Sequence, residues 1–74
     1  MLGLSEHARK RMRERGIAEA EIEEALTNTH AKYPSEEYPE DRVVVRGTTR
    51  NGRVLKVVVE ATDPEYVVSV MQTG

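Results

Sequence analysis

The hydrophobic positions change their spacing once along the chain, near residue 31. Before that point apolar residues recur at helical intervals, and after it valine-rich segments have the alternation of half-buried strands. No repeat, low-complexity stretch or linker separates the two parts. The pattern therefore predicts one α+β domain over residues 1–74, with a pair of helices followed by an antiparallel sheet.

The first predicted helix covers residues 6–15. Ser5 precedes it and belongs to the residue types preferred at the N-cap, while Gly16 suits the left-handed conformation in which many helices end. Three apolar side chains form its stripe: Leu4, Ala8 and Met12. Because this stripe is thin, we expect the helix to bury only a narrow face.

The second predicted helix covers residues 19–28 and has a clear apolar stripe of Ile22, Ala25 and Leu26. Ala18 lies at its N-cap and offers no side-chain acceptor, which weakens the helix start by about 1 kcal/mol. Only residues 16–18 join the two helices. They must therefore form a helical hairpin or corner, with Ile17 in the core at the bend.

A weak edge strand and three stronger strands are predicted after the helices. The Tyr33-Pro34 and Tyr38-Pro39 pairs, with acidic residues around them, indicate a short edge strand and then a loop. The stronger segments cover residues 42–49, 53–61 and 66–72, the last two divided by residues 62–65. We therefore expect the helical pair to pack on one face of a three- or four-stranded antiparallel sheet.

The turn around Asn51-Gly52 decides which side chains share a face of the sheet. A two-residue loop would pair Arg46 with Val57 and mix polar with apolar residues on both faces. A three-residue loop over residues 50–52, with a bulge at Gly52, instead pairs Val45 with Val57. This register segregates a core face that consists of Val43, Val45, Gly47, Leu55, Val57, Val59 and Ala61. For the last strand, the pattern allows either Tyr66, Val68 and Val70 or Val67 and Met71 to join that core.

Composition limits the chemistry of such a domain. The 74 residues carry 11 basic and 13 acidic side chains, a formal net charge of −2 at pH 7. The lack of cysteine excludes disulfides, thiolate metal sites and a cysteine nucleophile, and two histidines are few for a structural zinc site. The longest aliphatic run, residues 57–59, is far below the roughly 18 residues of a membrane span. We expect a cytoplasmic protein that has no cofactor, no metal site and no membrane contact, and whose functional site lies on the surface.

The first helix carries a concentrated positive charge, with five of the eleven basic residues inside seven positions. One interpretation is a phosphate-binding helix, because guanidinium groups bind phosphodiesters as planar forks and an imidazole such as His7 exchanges protons near neutral pH. The structural alternative is a solvated face whose cations complement the helix dipole and the acidic second helix. Arg11 and Arg15 lie close to the core edge and would then be clamps, with Glu19, Glu21 or Glu60 as partners.

The polar face of the predicted sheet adds Arg42, Arg46 and Lys56, with Arg46 directly opposite Lys56. Like charges in this position repel, so the pair indicates either a bound anion or side chains that extend into solvent. Three tyrosines are too few for an extended base-stacking platform, and we interpret them as core or edge residues: Tyr33, Tyr38 and Tyr66.

The segment His7-Ala8-Arg9-Lys10-Arg11-Met12-Arg13-Glu14-Arg15-Gly16-Ile17, followed by an acidic helix and a valine-rich meander, resembles the prokaryotic domains grouped as DUF4258. The likeness covers nearly the whole chain and rests mainly on the pattern H-A-x-x-R-M-x-x-R-G-I. These domains often have a serine where this chain has Ala18. The resemblance implies a helical pair on an antiparallel sheet, similar to the broad class of RelE-like and barnase-like toxin nucleases, and brings no established activity.

This remote similarity leads to the hypothesis of an RNA-binding protein or a metal-independent endoribonuclease of the toxin type. In such an enzyme the 2′-hydroxyl attacks the adjacent phosphate, and His7 would be the acid or base beside Arg11 and Arg46 as catalytic residues. The other cations are candidate nucleic-acid contacts: Arg9, Arg13, Arg15, Arg42 and Lys56.

The rival hypothesis is a non-catalytic protein-interaction domain. Its basic helix would meet an acidic protein, and Val44, Val54 and Val58 would form an apolar patch. An edge strand would pair with a partner peptide or with a second copy to give a homodimer. A third interpretation is a stable domain that has no functional site. Salt separates the first two, because phosphate contacts weaken steeply as salt is added.

Overall fold

Two short helices and five strands make up the fold in a computed structural model that describes residues 2–73. In chain order they are β1 (Gly3–Leu4), α1 (Glu6–Arg15), α2 (Glu19–Thr27), β2 (Thr29–Pro34), β3 (Arg42–Thr48), β4 (Val54–Glu60) and β5 (Asp63–Thr73). Within residues 2–73 neither helix is long and apolar enough to cross a membrane.

The strands form one mixed sheet in the order β1-β5-β4-β3-β2. From β2 to β5 the sheet is the predicted antiparallel meander, and the α+β class is confirmed. The predicted number of three or four strands is wrong, because β1 adds a fifth strand that runs parallel to β5. Two residues are too few to show an alternating pattern, so hydrophobic periodicity does not predict this strand.

The β3–β4 hairpin has the predicted register. Val45 faces Val57, and Arg46 faces Lys56. Gly52 has a φ of 87°, and the Thr49 N–H donates to the Arg53 carbonyl at 2.8 Å across the three-residue turn. Segregation of valines from polar residues was therefore a sufficient guide to the pairing.

The pairing of β4 with β5 is irregular and differs from both predicted alternatives. Val67 and Val70 are both fully buried, although three residues separate them. Their common orientation requires the register shift opposite Val58 and Val59, which leaves Val68 as an extra residue in β5. The strand also begins at Asp63, inside the predicted turn over residues 62–65, because a proline is tolerated where strand pairing is irregular.

Both helices cover the same face of the sheet, with α1 on β5 and α2 on β3 and β4. Gly47 permits the close approach of α2, since a Cβ at this position would overlap the carbonyl group of Ala25 and lie 2.9 Å from the Asn28 carbonyl oxygen. The buried core between helices and sheet consists of Ala8, Ile17, Ile22, Ala25, Val45, Leu55, Val57, Val59, Val67 and Val70.

Arg53, immediately before β4, is the clamp between the sheet and the helical bend. Its guanidinium donates to both carboxylate oxygens of Glu21 at 3.0 Å and to the carbonyls of Arg15 and Gly16 at 3.2 and 3.0 Å. It also donates to the Gln72 side chain. In the structural alternative, Arg11 and Arg15 would be clamps paired with Glu19, Glu21 or Glu60. Arg11 instead forms its ion pair with Glu14, and Glu21 pairs with Arg53.

Glu21 also compensates for the missing cap at Ala18. The Ala18 N–H donates to the Glu21 carboxylate at 3.0 Å, which supplies half of a capping box. This hydrogen bond, with a smaller contribution from Arg53, lowers the pKa of Glu21 below its ordinary value, although partial burial acts in the opposite direction. The carboxylate is therefore held in its charged form in the fold.

Candidate functional site

The face of the sheet that carries no helix, here the helix-free face, combines cations with valines. Alternation along β3 and β4 places on it the set that the hairpin register predicts: Arg42, Val44, Arg46, Thr48, Val54, Lys56, Val58 and Glu60. Val44 is buried and Val58 is half-buried, so only part of the valine surface of this face is open to solvent.

A groove of about 460 Å³ crosses the helix-free face, and we call it the sheet groove. It is lined by His7, Tyr33, Pro34, Ser35, Glu36, Glu37, Tyr38, Arg42, Val44, Lys56, Val58, Val68, Ser69 and Met71. Val44 and Val58, on neighbouring central strands, form an apolar floor. Residues of the β2–β3 loop lie at one end, and the start of α1 lies at the other.

His7 reaches the sheet groove because the chain enters α1 at the edge of β5. The Ser5 N–H donates to the Val67 carbonyl at 3.0 Å, and the Ser5 hydroxyl donates to the Val68 carbonyl at 2.8 Å. The same hydroxyl accepts the Ala8 N–H at 3.0 Å and caps α1. Residues of the first turn therefore stand beside β5, and His7 lines the groove together with Val68 and Ser69.

At the opposite end, the β2–β3 loop holds Arg42 in place. The guanidinium carbon of Arg42 lies 4.2 Å from the centroid of the Tyr38 ring, a cation–π contact. The Arg42 N–H donates to the Tyr38 carbonyl at 2.9 Å, and the Arg42 carbonyl accepts the Ser35 N–H at 3.0 Å. These contacts order the loop and position a permanent positive charge on the wall of the groove.

Arg46 and Lys56 lie directly opposite each other on β3 and β4, as the hairpin register predicts. Lys56 lines the sheet groove, whereas its direct partner Arg46 is not among the lining residues. The Nε of Arg46 is buried and has no hydrogen-bond partner within residues 2–73. Two adjacent cations raise the positive potential along this side of the groove, which favours an anionic ligand.

The remaining predicted cations lie away from the sheet groove. Arg11 forms an ion pair with Glu14 at 3.3 Å on α1 and does not line the groove. Arg9 and Arg13 line a separate depression on the outer surface of α1, and His7 lines this depression as well as the groove. The structure thus separates the predicted catalytic set, because His7 lines the sheet groove whereas neither Arg11 nor Arg46 is among its lining residues.

Several groove residues were not predicted as functional. The sequence indicates that Tyr33 and Tyr38 are core or edge residues. It does not predict Ser69 as a groove residue, because the orientation of Ser69 depends on the β5 bulge. Tyr33 is the direct partner of Val44 in the β2–β3 pairing, and residues directly opposite each other lie on the same face, so this pairing places the Tyr33 ring on the helix-free face.

A larger cavity of about 550 Å³ lies beside α2 on the opposite face of the sheet. Its walls are mainly apolar, and its charged rim consists of Glu23, Lys32 and Glu65. It lacks the convergence of cations, imidazole and hydroxyl groups found in the sheet groove, so the sheet groove is the better candidate for chemistry. Within residues 2–73, no three histidine or carboxylate side chains lie together as metal ligands.

The family model DUF4258, described as a domain of unknown function, matches residues 4–72, nearly the whole chain. No curated protein and no solved structure matches the chain.

Proposed function

The chain belongs to the DUF4258 family, whose function is unknown, and we propose that its sheet groove binds RNA and that His7 transfers a proton during metal-independent cleavage of the bound strand. The observation that carries the proposal is that His7, Arg42 and Lys56, far apart in the sequence, line one groove. Their convergence gives the groove phosphate-binding and proton-transfer groups together.

The shape and chemistry of the groove suit the two parts of a nucleotide. Its floor of Val44 and Val58 accepts a flat apolar surface such as a base. Lys56 and Arg42 on its walls supply the positive charge that a phosphodiester requires. Two of the predicted cations, Arg42 and Lys56, therefore lie on the same surface as Val44 and Val58 of the apolar patch.

In the proposed reaction, the 2′-oxygen of one nucleotide attacks the phosphorus that joins it to the next. A bond forms between the 2′-oxygen and phosphorus, the bond from phosphorus to the 5′-oxygen breaks, and a 2′,3′-cyclic phosphate results. His7 accepts the 2′-hydroxyl proton, and water protonates the leaving 5′-oxygen. Lys56 stabilises the negative charge that develops on the phosphate oxygens, and Arg42, at the loop end of the groove, binds another phosphate of the strand.

The experiment that tests this proposal is an RNA cleavage assay with a labelled single strand, performed in EDTA. The parent protein is expected to give products that end in a 2′,3′-cyclic phosphate, and His7→Ala is expected to lower the rate by about 10² or more. His30→Ala is the matched control, because His30 lies outside the groove with its Nε2 2.9 Å from the Thr48 hydroxyl.

Three outcomes would contradict the proposal. One is a parent protein that cleaves no RNA, and another is equal rates for the parent and His7→Ala. The third is an RNA affinity that barely changes with salt, because phosphate contacts predict a steep decrease. The last outcome would favour the non-catalytic interaction domain, whose valine-centred contact responds weakly to salt.

A further inference from the structure

We propose that the loop end of the sheet groove recognises an unpaired guanine base. This inference rests on the proposed function, since it names the substrate of the same groove. The feature that points to it is the presence of two carboxylates, Glu36 and Glu37, in a groove whose other charged residues are cations or histidine.

Carboxylates repel phosphate, so Glu36 and Glu37 need a different ligand group if the groove binds RNA. Within residues 2–73 neither carboxylate forms an ion pair or a side-chain hydrogen bond, although Arg42 lines the same groove. Their oxygens therefore remain free to accept hydrogen bonds from a bound molecule.

Guanine is the base that best fits a carboxylate acceptor. Its Watson–Crick edge presents the N1–H and the N2 amino group as adjacent donors, and one carboxylate accepts from both. Adenine, cytosine and uracil have no two adjacent donors at this edge, because each places an acceptor next to its donor, which opposes a second such bond. The Watson–Crick edge is accessible only when the base is unpaired, so the substrate class is single-stranded RNA.

The same end of the groove supplies surfaces on which a base can stack. The Tyr33 and Tyr38 side chains are 37% and 44% exposed, so a stacked base would remove a large aromatic area from water. The loop is ordered before any ligand arrives, because the Tyr38 N–H donates to the Ser35 hydroxyl at 3.3 Å and Arg42 packs on the Tyr38 ring. An ordered loop loses little conformational entropy on binding.

A third glutamate of the same loop provides a control for the general effect of the loop's negative charge on binding. Glu40 belongs to the same acidic loop but does not line the groove. A general electrostatic effect of the loop would respond equally to Glu40 and to the groove carboxylates. Direct recognition of a base responds only to Glu36 and Glu37.

The test measures affinity by fluorescence anisotropy with 2′-O-methyl oligouridylates of about ten nucleotides, which bind but cannot be cleaved. One central position carries uracil, guanine or hypoxanthine, the base that keeps the N1–H of guanine and lacks its N2 amino group. The parent protein is expected to bind the guanine oligonucleotide about tenfold more tightly than the other two.

Glutamine variants test whether the guanine preference depends on the carboxylates of Glu36 and Glu37. In a Glu36→Gln, Glu37→Gln double variant the guanine preference is expected to fall to about onefold, while affinity for the all-uracil strand stays equal or rises. Glu40→Gln is expected to keep the tenfold preference. A preference that persists in the double variant, or that disappears equally in Glu40→Gln, would overturn the inference.

The outcomes separate this inference from the function on which it rests. Tight, salt-dependent binding of all oligonucleotides with equal affinity would overturn guanine recognition and leave RNA binding intact. Failure of the parent protein to bind any of them would overturn the proposed function, and the inference with it.

Discussion

Replacement of Arg53 by alanine tests whether one side chain joins the sheet to the helical bend. Arg53 donates six hydrogen bonds, two of them to Glu21 and the others to Gln72, Arg15 and Gly16. The side chains of Arg53 and Glu21 are only 21% and 15% exposed, so solvent screens their interaction weakly. Arg53→Ala removes all six hydrogen bonds and leaves the Glu21 carboxylate without its cation.

We expect Arg53→Ala to lower the free energy of unfolding by about 3 kcal/mol. Charge-assisted hydrogen bonds contribute about 1.5–3 kcal/mol each, but those to Gln72 and the carbonyls are exposed and Glu21 keeps the Ala18 N–H. For a domain of this size, about 3 kcal/mol corresponds to a decrease in Tm of roughly 12–24 °C.

Urea denaturation followed by circular dichroism measures this change, with the m-value as a check that both proteins unfold alike. Arg50→Ala is the matched control, because the exposed Arg50 side chain has no hydrogen bond in the described residues, and we expect it to stay within about 0.5 kcal/mol of the parent. A change below about 1 kcal/mol for Arg53→Ala, or an equal loss for Arg50→Ala, would refute the clamp.

Substitutions at four other contacts test the fold and the groove. Glu21→Gln should be less stable than the parent at pH 7, and the difference in unfolding free energy should shrink as the pH falls below about 4.3. The reason is that a carboxyl whose pKa is lowered by folding stabilises the fold only while it is ionised. Urea titrations at pH 3, 5 and 7 measure this difference. Gly47→Ala should cost about 2 kcal/mol or more, since its Cβ meets the Ala25 backbone, and a loss below about 0.5 kcal/mol would be inconsistent with that approach. Ser5→Ala should cost about 1 kcal/mol by thermal unfolding, through loss of the α1 cap. Lys56→Ala should reduce the slope of log affinity for RNA against log salt by about 0.7, and an unchanged slope would exclude Lys56 as a phosphate contact.

The sequence was sufficient for those elements that local rules determine. The ends of α1 follow from Ser5 and Gly16, whose side-chain acceptor and left-handed φ are local properties. The β3–β4 register follows from the requirement that Val45 and Val57 share a buried face. In both cases the residues that decide the structure lie within one element or one hairpin.

Contacts between residues far apart in the sequence determine those parts of the fold that could not be predicted from the sequence. The strand β1 and the position of His7 depend on the hydrogen bond from Ser5 to Val68, which joins residues 63 positions apart. The β5 bulge that buries both Val67 and Val70 leaves no compositional mark. The candidate site could be predicted as a cationic sheet face, but its histidine end and its loop end required the tertiary structure.

The central claim is that RNA occupies the sheet groove, and an NMR titration of the isotope-labelled protein with a non-cleavable single strand tests it most directly. We expect saturable chemical-shift changes of the Val44 and Val58 methyl signals together with the His7 ring signals. Shifts confined to Arg9 and Arg13 on the outer surface of α1, or no shifts at all, would contradict it.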